Sequence, residues 1–206
     1  ADAVVSSRDA LRSVLINGKE SLTSDTDIIG SLGAVVTPLD KVPMLAYGHT
    51  KDFWQQADMF ALLGVIDWTN DDQADFEAAL ITSPRPVFVA NPDVAAPQRD
   101  QFSAEPGYWM ARALQLADIP VYWYGKPHRL VFDIAVQRLE RLAGRNLDIN
   151  RVAMVGDSLH TDILGAGAVG LQTVLMTGAG LFRDGGADHY IAVSGIQPDW
   201  IVKGHI

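Results

Sequence analysis

Cysteine is absent from all 206 residues, which leaves no disulfide framework, no thiolate zinc site and no thiol nucleophile. No run of lysine and arginine stands out either. With 16 Lys and Arg against 25 Asp and Glu, the net charge of -9 repels polyanions, so a nucleic-acid partner is not expected. Every apolar stretch falls short of the roughly 18 residues that a membrane helix needs. Ala1 to Arg12 mixes charge and polarity unlike a signal peptide. A cytoplasmic protein with no membrane partner is the expectation. There is no internal repeat and no low-complexity segment. What is present is a 48% hydrophobic, 20% charged chain, long enough for one domain or two small ones.

The C-terminal half alternates short β-branched runs with helical patterns, which predicts an α/β fold around a doubly wound parallel sheet. Strands are predicted at 120–124, 151–155 and 171–176, with an edge strand at 199–202. The intervening helices are predicted at 127–142, opened by Pro127, and at 161–168, and a glycine-rich loop at 178–186. The N-terminal half is less regular. A helix over 7–15 opens on the capping-box pair Ser6 and Asp9, and a polar stretch runs from Asn17 to Asp27. Strands are then predicted at 42–47, 65–68 and 86–90, with helices at 51–63 and 71–80. This makes a second α/β unit, with the boundary near Ile119.

Chemistry concentrates in Val152-Ala-Met-Val-Gly-Asp-Ser-Leu-His-Thr-Asp-Ile163, an apolar strand running into Gly156 and Asp157, with Asp162 opening the next helix. Ligands of doubly wound folds bind at the carboxyl ends of strands, and two nearby carboxylates suit a hard cation such as Mg²⁺. The alternative is that Asp157 closes a turn while Thr161 or Asp162 caps a helix. Gly125-Lys126-Pro127, after the preceding strand, favours the first reading. A lysine there can neutralise a phosphoryl group and its carboxylate partner, whereas an isolated lysine is usually a solvated one.

Together, Gly125-Lys126-Pro127 and Gly156-Asp157-Ser-Leu-His-Thr-Asp162 resemble the third and fourth motifs of the haloacid dehalogenase-like phosphatases. Ala90-Asn91-Pro92-Asp93, followed by Pro97 and Pro106-Gly107, resembles the cap segment of the NagD-like or p-nitrophenylphosphatase-like branch. Ser6 to Ala10 looks like the helix start after that branch's second motif. Gly165 to Gly170 with Thr177-Gly178 matches its C-terminal core. The resemblance implies a Rossmann-like core with an inserted α/β cap: 1–28 as a remnant of the core, 29–119 as the cap and 120–206 as the rest of the core. It implies a Mg²⁺-dependent phosphatase acting on a small phosphorylated metabolite. Asp157 would be the metal ligand and Asp162 its support. Lys126 would hold phosphate and nucleophile, with Asn91 and Asp93 reaching substrate from the cap. Cap surfaces of this kind could pair two copies into a homodimer.

In such enzymes an aspartate attacks phosphorus and an acid two residues on protonates the leaving group, before water hydrolyses the aspartyl-phosphate. That aspartate belongs to an Asp-x-Asp-Gly motif after an apolar strand, which the 206 residues do not contain. Asp25-Thr26-Asp27 has the carboxylate spacing but follows a polar stretch and reads as a turn. The chain also starts without methionine, so a further N-terminal strand-helix-strand unit is expected, and the chain by itself is expected to be inactive.

Other classes stay open at this stage. Gly165-Ala-Gly167-Ala-Val-Gly170 has the spacing of a dinucleotide fingerprint, with Asp184 or Asp188 farther on, but a helix rather than a strand precedes it. A ligand-binding or regulatory relative without turnover is another reading, and a purely structural α/β domain a third. His128 and His160 lie near the motifs but have no metal-like spacing, and His49, His189 and His205 suggest nothing. Trp54, Trp68, Trp109 and Trp123 read as packing residues rather than a stacking platform.

Overall fold

A computed structural model of the chain describes residues 3–17, 27–33, 39–48, 50–98 and 101–204. Asp25, Thr26, His49 and His205 lie outside them, as does most of the polar stretch before Asp27. The described chain forms two compact units, each with a parallel sheet, in keeping with the α/β class. One unit comprises Ser6–Ala96 and Phe102–Gly125, the other Ala1–Val5, Pro97–Gln101 and Lys126–Ile206.

The first unit holds a five-stranded parallel sheet in the order β2-β1-β3-β4-β7: β1 is Ile29–Leu32, β2 Leu45–Ala46, β3 Met59–Leu62, β4 Val87–Val89 and β7 Val121–Trp123. The three inner strands are buried at every residue, as parallel strands covered on both faces must be. Phe60, Leu62, Val87 and Val89 pack with Phe76 and Leu80 of the helix Asn70–Thr82 and with Met110 and Ala113 of the helix Pro106–Leu114. The four tryptophans read as packing residues do join this core: Trp68 is buried, and Trp54, Trp109 and Trp123 pack against it. A short hairpin, β5 (Ala95–Pro97) and β6 (Phe102–Ala104), intervenes.

Helix entry follows the predicted chemistry. Asp9 accepts from the Ser6 N–H (2.8 Å) while the Asp9 N–H reaches Ser6 Oγ (3.3 Å), opening the helix Ser7–Asn17. Thr69 and Asp72 form a second capping box at the start of Asn70–Thr82. The segment predicted as one helix over 51–63 is instead a helix, Lys51–Gln56, followed by β3, and 65–68 is a turn rather than a strand. Burial on both sides makes Met59–Leu62 a central strand. Its N-terminal edge is held by Asp58, whose Oδ2 accepts from Ile28 N–H (2.8 Å) beside β1.

In the second unit β8 (Ala153–Gly156), β9 (Gln172–Met176) and β10 (Trp200–Val202) form a parallel sheet in the order β10-β9-β8. The helix Arg129–Ala143 ends at Gly144, in the left-handed region at φ +64°. Leu175 of β9 packs with Leu159, Ile163, Phe182, Ala187 and Ile191 in a small core. Thr173 and Asp199 tie the starts of β9 and β10. Thr173 N–H and Oγ1 both donate to Asp199 Oδ2 at 2.8 Å, and Asp199 N–H returns a bond to Thr173 Oγ1 at 2.9 Å. The strand before Lys126 pairs with β4 of the five-stranded sheet, in register Val87 with Val121, and not with β8.

Candidate active site

β8 delivers Gly156 and then Asp157 at its carboxyl end, and the chain turns at once into a π-helical turn, Leu159–Ile163. Ile163 N–H and Asp162 N–H both reach Ser158 C=O at 3.1 Å. This wider turn, a form often found at functional sites, swings Asp162 back over the loop it follows. Asp162 Oδ2 accepts from the backbone N–H groups of Asp157 (3.1 Å) and Ser158 (3.2 Å). Gly156 must be glycine for this to happen: a Cβ there would lie 2.2 Å from Asp162 Oδ2.

The other Asp162 oxygen takes the lysine. Lys126 Nζ donates to Asp162 Oδ1 at 2.5 Å, with the Asp162 side chain 4% exposed and that of Lys126 37%. One buried carboxylate therefore joins the two motifs, 36 residues apart in sequence, with every buried side-chain polar atom of the described residues paired. An ammonium has three donors, so Lys126 keeps donors for a ligand while neutralising Asp162.

Asp157 is held from a third segment. Leu181 N–H donates to Asp157 Oδ2 at 2.9 Å from the short 3-10 turn Gly180–Phe182. No hydrogen bond reaches Asp157 Oδ1 among the described residues. Among those residues no group of three or more His, Cys, Asp or Glu forms a ready metal cage. The site thus offers one half-buried carboxylate with an open oxygen, next to a lysine paired with a buried aspartate.

Lys126, Asp157 and Asp162, singled out in the sequence, come together in this unit. Asn91 and Asp93 sit in the other unit, past the end of β4. There Asn91 Oδ1 accepts from Asp93 N–H (3.3 Å), and Asp93 C=O accepts from Gly107 N–H (2.9 Å). His160 is exposed. Gly165–Gly170 falls in the helix Leu164–Ala168 and the turn that precedes β9, the reverse of the strand-first context of a dinucleotide fingerprint. The Leu181 amide is not among the groups that the sequence motifs point to. Its signal was the glycine-rich loop itself, because Gly180 at φ +66° would place a Cβ 1.7 Å from Asp157 Oδ2.

Residues 123–204 match the HAD-hydrolase-like family model. No curated protein matches at the sequence level. Several solved structures are similar along nearly the whole chain. A possible sugar phosphatase of the HAD superfamily from Cytophaga hutchinsonii is 23% identical, with a TM-score of 0.78, over 98% of this chain and 71% of that one. A p-nitrophenyl phosphatase from Archaeoglobus fulgidus is 18% identical, with a TM-score of 0.70, over 96% and 70%. The glycerol phosphate phosphatase from Mycobacterium tuberculosis, solved in complex with calcium, is 22% identical, with a TM-score of 0.68, over 99% and 55%. The segment carrying both motifs matches that family model, and the fold over almost the whole chain is similar to that of these structures.

Proposed function

On the premise of that fold, we propose that these residues form the lysine and metal-binding part of a Mg²⁺-dependent phosphatase, hydrolysing the phosphate monoester of a small phosphorylated metabolite. The observation that carries the reading is the Asp162 carboxylate, which fixes Lys126 beside Asp157 at the end of β8. The relatives named above as acting on sugar phosphate, p-nitrophenyl phosphate and glycerol phosphate support a small substrate.

The donor set fits a hard cation. Mg²⁺ is commonly held by one or two carboxylates, with water and substrate phosphate filling the other positions, and Asp157 presents an oxygen free of hydrogen bonds. Asp157 would hold the ion, with Asp162 in support. Once bound, the ion offsets charge on the phosphoryl oxygens. Lys126 would do the same from its own side: already paired with Asp162 and partly exposed, it keeps donors for an anionic group without bringing an uncompensated charge. Asp162 keeps lysine and loop fixed, so neither has to reorganise as phosphate arrives.

By the family resemblance, an aspartate of an Asp-x-Asp-Gly segment forms the bond to phosphorus as the ester oxygen departs with a proton from the second acid. Water then cleaves the aspartyl-phosphate, releasing phosphate and restoring the carboxylate. Residues 29–119, extended through β7 because that strand pairs with β4, are proposed as the cap, with Asn91 and Asp93 touching substrate, and the chain from Lys126 onward as core. The protein is proposed to act in the cytoplasm without nucleic-acid or membrane partners, with pairing into a homodimer through the cap. No helix of the described residues is long and apolar enough to cross a membrane.

The test uses protein in which the 206 residues are joined to an Asp-x-Asp-Gly segment, assayed for phosphate release from p-nitrophenyl phosphate and small sugar phosphates with and without Mg²⁺. Release should require Mg²⁺, and Asp157→Asn should abolish it. Undiminished release by that variant removes Asp157 from the site.

A further inference from the structure

We infer that Gly180 and Leu181 form a positioning element for Asp157: the Leu181 amide occupies Oδ2, Gly180 makes room for that contact, and Oδ1 is thereby turned outward to meet a divalent cation. This rests on the reading of Asp157 as a cation ligand.

Three observations converge on it. Leu181 N–H donates to Asp157 Oδ2 at 2.9 Å, the single hydrogen bond to that carboxylate among the described residues. Gly180 adopts φ +66°, and an added Cβ would fall 1.7 Å from Oδ2 and 2.4 Å from the carboxylate carbon. No side chain can occupy position 180 while the carboxylate keeps its place. The amide itself is anchored, because Phe182, one residue on, is buried with Leu159, Ile163 and Leu175, the core beneath the π-turn. The loop from β9 and the turn from β8 thus share one hydrophobic support, and the Asp157 carboxylate bridges them.

A carboxylate with free rotation presents either oxygen, and ordering it on binding costs affinity. A hydrogen bond to one oxygen selects the other in advance, and loss of such an outer partner typically lowers metal affinity about 10- to 100-fold. Gly180→Ala should therefore weaken cation binding by about tenfold or more. Left-handed backbone strain accompanies that substitution, and Gly144 supplies the matched control: its φ is +64°, and nothing lies within 4 Å of its added Cβ. Gly180→Asn provides a second variant, since asparagine tolerates the left-handed region yet brings the same Cβ.

The experiment titrates the 206-residue chain with Mn²⁺, read by loss of the free-ion electron paramagnetic resonance signal, with Mg²⁺ as competitor. The Leu181 amide is followed by NMR in parallel. Weakened Mn²⁺ binding in Gly180→Ala and Gly180→Asn, with wild-type affinity in Gly144→Ala, is expected. Asp157→Asn should both weaken binding and move the Leu181 amide resonance in the unaltered loop. Equal affinity in the Gly180 and Gly144 variants overturns the positioning role, and so does a Leu181 resonance indifferent to Asp157→Asn, which needs no glycine variant to fold. If Asp157→Asn binds Mn²⁺ as wild type does, the cation reading of Asp157 fails first, and the inference with it.

Discussion

Replacing Asp162 tests the junction on which the site is built, and two substitutions separate its parts. Asp162→Ala removes the acceptor of two backbone N–H groups, those of Asp157 and Ser158, and the partner of Lys126. Each amide left without its acceptor in this half-buried loop costs about 1 kcal/mol. The ion pair adds no more than ~1 kcal/mol, because a lysine side chain 37% exposed recovers water when its partner goes. The alanine variant should therefore lose about 3 kcal/mol of stability. Asp162→Asn keeps an amide oxygen for both N–H groups and gives up the charge, so its loss should be ~1 kcal/mol. Urea unfolding read by amide hydrogen exchange in β8 and β9 isolates the unit concerned. Equal losses in the two variants would show that charge, not the two backbone amides, holds the loop. A loss below about 1 kcal/mol in the alanine variant would refute the junction altogether.

Two further outcomes follow from contacts away from the site. Arg85 donates to the carbonyls of Ser83 (3.0 Å), Trp54 (2.9 Å) and Ala57, closing the end of the helix Lys51–Gln56, and lies over the Phe60 ring. Arg85→Met should cost the five-stranded unit about 2 kcal/mol in chemical denaturation, and Arg85→Lys should recover only part of it. The Asp199 carboxyl is held below the usual carboxylate range by the Thr173 hydroxyl first and then by the Thr173 N–H. The unfolded chain therefore binds the proton more readily than the folded one, and the contribution of Asp199 is present above pH ~4 and lost as pH falls through its lowered value. Thr173→Val, measured by acid unfolding, should lessen that loss.

The sequence made the second unit legible because its strands and helices carry distinct periods, and because Gly-Asp and Lys-Pro stand at strand ends. The strands at 153–156, 172–176 and 200–202 and the helix Arg129–Ala143 lie within a few residues of prediction. The first unit was harder. Met59-Phe-Ala-Leu62 is built largely from good helix formers, and a strand buried on both faces shows no alternation to betray it. Ile29-Gly-Ser-Leu32 has weak strand propensity and earns its place through neighbours on both sides. Lys126, Asp157 and Asp162 could be named as a set from their motifs. That Asp162 would spend both oxygens inside the protein could not, since it depends on a turn wider than an α-helix. The Leu181 amide, a backbone donor, leaves no residue type to recognise, and the glycine-rich loop that carries it is its one trace in the sequence.

The π-turn makes the aspartate motif a matter of length as well as of letters. Four residues lie between Asp157 and Asp162, and the extra residue of the wider turn is taken up within Leu159–Ile163 rather than in a loop. Removing a single residue there would let the chain relax into ordinary α-helix and rotate everything after it by about 100°. Two aspartates would still be written in the sequence, and the second would point away from the first. An alignment that places a one-residue gap inside this segment therefore describes a different site, even where both carboxylates are kept.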